Sequence, residues 1–170
     1  MDFVYALPNS YPYNELLLSG KLSAKTREWK WNHSGLVLLY TSTSTAKGVV
    51  KAHGLPKEHE TGVLVGYGFL RPVRYNTWEE QNDLEREFNN DGEGSCGVFA
   101  GLYRYEFSEL IRFKKPIPFK PKQGSVRVLR VPIQVIEGKI PARTLRAWAA
   151  RVERLKIAMK EGLQQHESHD

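Results

Sequence analysis

The residues of this chain best suited to chemistry are cations set among indoles near the N-terminus. Lys21, Lys25, Arg27 and Lys30 fall in one segment, with Trp29 and Trp31 interleaved among them. An arginine in such company can present a planar fork to a phosphate or a base edge while stacking on an indole. Indole and phenol rings also supply the surface on which single-stranded nucleic acid stacks. A second basic group runs from Arg112 to Arg130 and includes Lys115, Lys120 and Lys122, whereas acids gather between Glu79 and Glu93. That segregation predicts a basic face opposite an acidic helix. The net charge of +6, from 25 Lys plus Arg against 19 Asp plus Glu, favours an anionic partner only moderately.

Other motifs fail on context. Gly20-Lys21 is no phosphate loop, because Glu15 stands where that pattern needs glycine and Leu22 where it needs Ser or Thr. Gly92 to Gly97 spells G-x-G-x-x-G, yet it follows a helical segment and precedes a strand-like one, the reverse of the dinucleotide context. It reads as a hairpin loop. The five histidines are scattered, so no metal triad and no cofactor is implied. The single cysteine, Cys96, excludes a disulfide framework and a cysteine-rich zinc site, and reads as a small packed hydrophobe. The first residues lack the basic start and apolar run of a signal peptide, and no apolar run approaches the ~20 residues of a membrane span. The expectation is a soluble, cytoplasmic protein with no membrane partner.

The elements that must position the cations can be read in order. Residues 1–11 are extended, and Glu15–Ser19 forms a helical turn stopped by Gly20. Thr26–Trp31 is strand-like. Leu36–Tyr40 is a continuous apolar run, hence a strand covered on both faces. Thr41–Thr45 is a hydroxyl run from which Ser44 or Thr45 would cap a helix over Ala46–His53. Gly62–Tyr75 reads as a strand with Val63, Val65, Tyr67 and Phe69 on one face. Gly66 and Gly68 on its other face predict a bend or a close backbone approach.

Thr77 and Glu80 form a capping box for a helix using Trp78, Leu84 and Phe88 as contacts. Gly97–Ile111 alternates as a strand does. The prolines of Phe113–Phe119 forbid a central strand there, and Val126–Val131 is a further strand. The last helix starts at Pro141 and carries the stripe Leu145, Trp148, Ala149, Val152, Leu155 and Met159, with residues 163–170 frayed. Five or six strands with three or four short helices predict an α+β domain whose strands close into a small barrel.

The order of these features resembles a known family. An apolar turn, Gly20-Lys21, Arg27, Trp29, Gly35 and a strand ending in Tyr40-Thr41-Ser42 look like the opening of the ASCH domain, which has the PUA-like fold. Tyr105 to Val131, with Phe107, Leu110, Pro116, Pro118, Lys122, Gln123 and Gly124, is similar to the second half of that family. The resemblance covers roughly residues 10–135. It implies a PUA-like small mixed β-barrel with peripheral helices over residues 1–136 and a C-terminal helical extension over 137–170. It also implies an RNA- or nucleotide-binding module, with Lys21, Lys25, Arg27, Trp29, Lys30, Lys115, Lys120 and Lys122 as the binding set. Some small bacterial members are amidohydrolases acting on acetylated cytidine through a lysine, a threonine and a glutamate. Lys21 matches that lysine, and Thr26 or Ser23 offers a hydroxyl at a different spacing. The usual glutamate position falls near Ala24 or Lys25, so the acid would come from elsewhere. A third reading is a protein-interaction adaptor working through the C-terminal helix.

Overall fold

The structure, a computed structural model, describes residues 2–88, 103–122 and 127–167. The elements run β1 (Phe3–Tyr11), α1 (Tyr13–Leu18), β2 (Lys25–Arg27), β3 (Gly35–Thr45), α2 (Lys47–Ala52) and β4 (Val63–Leu70). There follow β5 (Arg74–Tyr75), α3 (Trp78–Phe88), β6 (Tyr103–Tyr105), β7 (Phe107–Pro118), β8 (Leu129–Pro132), a 3-10 turn (Ile133–Ile136) and α4 (Ala142–Glu167). The glycine-rich segment Gly92–Gly97 with Cys96, the start of the Gly97–Ile111 segment, and Gln123–Val126 lie outside the described residues.

The class is mixed α+β, but no closed barrel forms among the described residues. A five-stranded sheet has the order β7-β4-β3-β1-β8, and a separate three-stranded sheet has the order β2-β6-β5. β1 and β3 pair in parallel, Ala6 opposite Leu38 and Leu7 opposite Leu39, while the other pairings are antiparallel. The central β3 is covered on both faces, as its unbroken apolar run requires. On one side Leu38 and Tyr40 join Val4, Ala6, Tyr67, Phe69 and Val131 in a core closed by Ile136, Ile140 and Trp148. On the other side Leu7, Val37 and Leu70 meet Tyr105 of the small sheet, while α1 and the Leu84 side of α3 form an adjoining cluster.

Several local expectations are corrected. The hydroxyl run Thr41–Thr45 continues β3 rather than leaving it, because Ala46 N–H still bonds Tyr11 O and Gly62 N–H bonds Thr41 O. Consequently α2 begins after Ala46 with no side-chain cap. The strand expected over Thr26–Trp31 is only Lys25–Arg27. On β4 the faces switch midway: Val63 and Val65 pack with Leu39, but Leu64, Tyr67 and Phe69 lie in the opposite core. A register shift between Leu64 and Gly66 inserts the odd residue. Gly66 and Gly68 do mark a close approach, since a Cβ there would come within 2.5 Å of Ile111 O and 2.6 Å of Glu109 O. The proline-bearing segment is a strand at the sheet edge, where missing amide donors are tolerated.

On α4 the stripe narrows to Trp148, Val152 and Leu155, leaving Met159 exposed, and the helix continues to Glu167 instead of fraying from 163.

The capping box is present in full. Glu80 N–H donates to Thr77 Oγ1 at 3.2 Å and Thr77 N–H to Glu80 Oε1 at 3.1 Å. Thr77→Ala is therefore expected to cost about 1 kcal/mol in urea unfolding, and no change at all would mean that the cap is not formed in solution. Trp78, expected as a core contact of this helix, is instead 76% exposed.

Candidate nucleic-acid interface

Strand β2 supplies the centre of the site. Residues alternate across a strand, so Lys25 and Arg27 share one face and Thr26 occupies the other, where it is buried. The shared face turns toward the end of β1 and the start of α1. Arg27 Nη2 donates to Asn9 Oδ1 at 2.6 Å and to Pro8 O at 3.2 Å. The Asn9 amide then donates to Asn14 Oδ1 at 2.8 Å, and the Asn14 amide to Thr41 Oγ1 at 3.2 Å. This buried polar chain from β1, α1 and β3 orients the guanidinium. Its plane is flanked by aromatic rings, Trp29 at 5.6 Å and Tyr105 at 5.4 Å. Lys25 Nζ lies 3.8 Å from the centre of the Tyr13 ring, and Arg127, just before β8, reaches the Trp29 ring at 5.7 Å.

Burial sets the cations of this corner apart from several paired arginines elsewhere. Arg74 pairs with Glu80, Arg104 with Glu80 and Glu106, Arg112 with Glu15, and Arg151 with Glu109. No carboxylate among the described residues pairs with Lys25 or Arg27. Burial drives the Lys25 ammonium down to about 8, with the neighbouring Arg27 charge adding to the effect. Burial likewise lowers the Arg27 guanidinium to about 10, so it remains charged at neutral pH. The Tyr105 phenol is pushed up to about 12 by burial and stays neutral, leaving Arg27 without a counter-charge. The Arg27 Nε is buried and has no hydrogen-bond partner. Two desolvated cations and an unused donor are costly unless an anion completes them.

The structure sorts the residues expected from sequence. Lys25, Arg27 and Trp29 come together. Lys21 sits exposed just after Gly20, whose φ of +76° ends the α1 turn. The desolvated lysine beside Arg27 is Lys25, where the sequence resemblance pointed to Lys21. Ser23 donates through its amide and hydroxyl to Glu87, and Lys30 is exposed. Lys115, Lys120 and Lys122 are exposed on β7 and just beyond it. β7 lies three strand spacings from β1 within the sheet, about 14 Å. Arg112 is held by Glu15, so part of the second basic cluster is neutralised by α1. Part of the acidic segment faces inward, with Glu80 and Glu87 anchored to the small sheet and its approach.

Sequence reading missed Asn9, Asn14, Tyr13 and Tyr105. Only the cross-pairing of Lys25 with Tyr105 and the return of α1 over β1 bring them to β2. Among the described residues no group of three His, Cys, Asp or Glu side chains could hold a metal ion, and no helix is long and apolar enough to cross a membrane.

Neither a family model nor a curated protein matches the sequence. Among solved structures the chain is similar to crystal structures of two point mutants of ZmASCH from Zymomonas mobilis. One match has 11% identity and a TM-score of 0.47, covering 78% of this chain and 91% of that one. The other has 9% identity and a TM-score of 0.49, covering 78% and 93%. At these identities and TM-scores the likeness says nothing about individual residues or what they do.

Proposed function

We propose that the chain is an RNA- or nucleotide-binding module of the PUA-like type, acting in the cytoplasm, with residues 1–136 as the module and 137–170 as its helical extension. The supporting observation is the pair Lys25 and Arg27, desolvated on one strand face with no carboxylate partner among the described residues, and with Arg27 Nε unpartnered there. An incoming phosphate supplies the missing charge beside Lys25 and Arg27, while Trp29 offers a stacking surface. Counterion release then makes binding weaken with salt.

The same geometry gives a pH signature. Free Lys25, with only Arg27 beside it in charge and the Tyr13 ring below, loses its proton through about pH 8. Affinity for an anion follows the protonated fraction, so it should fall by up to about tenfold from pH 7 to pH 9. An ordinary surface lysine would show no such change below about pH 10. The measurement is binding of a short RNA at low and moderate salt and at both pH values, wild type beside Lys25→Met and Lys21→Ala. Lys25→Met should weaken binding and flatten the pH response, with Lys21→Ala acting as the exposed-lysine control. RNA binding that ignores salt and Lys25 would refute the reading.

One observation favours a second reading, a hydrolase of an acylated nucleoside. A lysine pushed down to about 8 can act as a general base near neutral pH. Release of acid from an acylated nucleoside, rising with pH through about 8 and lost in Lys25→Met, would support it. Its absence would leave the binding module.

A further inference from the structure

Cross-strand pairing carries the site further than the anion corner. In the three-stranded sheet Arg27 of β2 pairs with Tyr103 of β6, and Tyr103 pairs with Tyr75 of β5. Directly paired residues of antiparallel strands point to the same face. Arg27, Tyr103 and Tyr75 therefore form one row across the sheet, about 10 Å from first to last at ordinary strand spacing. The inner end of the row is the desolvated cation flanked by Trp29 and Tyr105. Its outer end is β5, a two-residue edge strand with no strand beyond it among the described residues.

The outer end is built in a way that ordinary packing does not require. Tyr75 and Tyr103 stack with centroids 4.5 Å apart and 27° between planes, and the Tyr103 hydroxyl donates to the Tyr75 hydroxyl at 2.9 Å. Tyr75 nevertheless remains 62% exposed. A large aromatic ring held in a fixed orientation by its neighbour, with much of its surface in water, is a platform awaiting a flat apolar partner. Trp78 stands three residues further on, also exposed, at the start of α3.

We infer that the Tyr103–Tyr75 stack is a base-stacking shelf, and that the ligand is an extended single-stranded oligonucleotide rather than a free nucleotide. This rests on the binding function proposed above. One phosphate sits at Arg27 and Lys25, and a nucleotide further along the strand lays its base on Tyr75. Charge complementarity selects this occupant over an apolar peptide, because the row leads directly into cations that no carboxylate among the described residues pairs with. Stacking is sequence-tolerant, so the shelf adds affinity without demanding a particular base.

The test compares a tetrauridylate with uridine monophosphate on the full chain, wild type beside Tyr75→Ala and Tyr75→Phe. Tyr75 is exposed and makes no core contact, and a thermal melt verifies that its variants fold. The tetranucleotide should bind more tightly than the monophosphate. Tyr75→Ala should weaken the tetranucleotide by about tenfold, leave the monophosphate unchanged, and Tyr75→Phe should restore most of the loss. A tetranucleotide indifferent to Tyr75→Ala, or one no tighter than the monophosphate, overturns the shelf while the anion site at Arg27 stands. If wild type binds neither probe at low salt, the binding function itself fails and the shelf with it.

Discussion

Replacing Trp148 with alanine is expected to lower the free energy of unfolding by about 3–5 kcal/mol. The indole is 5% exposed and meets Phe69 edge-on at 5.6 Å and Tyr67 at 5.8 Å, both on the face of β4 that forms the main core. Its Nε1 donates to Glu109 Oε2 at 3.2 Å, which satisfies the polar end of an otherwise apolar group. Arg151, one turn on, covers Phe69 at 4.1 Å and pairs with the same Glu109. Removing the indole leaves a cavity between helix and sheet that neither neighbour can fill, because Val152 already packs against Gly35. Trp148→Phe keeps most of the apolar contact and loses the Glu109 hydrogen bond, so it should cost about 1 kcal/mol.

Urea unfolding of both variants decides the matter. A loss below about 1 kcal/mol for Trp148→Ala would make α4 an appendage that the sheet does not need. The adaptor reading of this helix then turns on its later turns. Trp148, Val152 and Leu155 pack on the chain's own core, whereas Ile157, Met159 and Leu163 are exposed.

Arg27→Ala should weaken RNA binding by about thirty-fold, the size expected for a charge-assisted contact of some 2 kcal/mol. The slope of log affinity against log salt should fall by about one. Stability should move far less, within about 1 kcal/mol. Two opposing effects set that small number: Asn9 Oδ1 and Pro8 O lose their donor, but a desolvated cation without a counter-charge is removed as well. Arg27→Lys should recover little of the binding. One ammonium cannot hold Asn9 and meet a phosphate at the same time, and it has no equivalent of the planar Nε and Nη fork. The assay is binding of the same RNA over a salt series, with urea unfolding alongside. Wild-type affinity in Arg27→Ala would remove Arg27 from the site. A collapse in stability would instead assign it a structural role.

Local features were legible wherever the cause was local. Thr77 and Glu80 sit three residues apart, and the reciprocal cap follows from that spacing alone. Leu36–Leu39 has no polar side chain, so the run had to lie at the centre of a covered sheet. The prolines of β7 fixed it at an edge, and the periodic apolar positions of α4 fixed which side would dock. The cations and indoles near β2 marked the candidate site by their types. What residue types alone leave open is their pairing state, because a charged side chain reads the same whether a carboxylate meets it or not. Arg112 and Arg27 look alike in sequence. Glu15 of α1 neutralises the first, and no acid among the described residues pairs with the second.

By itself, then, the sequence determined an α+β chain, a doubly covered central strand, a docked C-terminal helix and a basic, aromatic segment around Arg27. Tertiary structure decided that the strands form two open sheets, that β4 changes faces midway, and that Lys25 rather than Lys21 is the desolvated lysine. It also aligned Arg27, Tyr103 and Tyr75 in one row. The physical reason is common to all four. Burial, register and cross-strand pairing depend on segments far apart in the chain, and a side chain's charge cost is set by what those segments place against it.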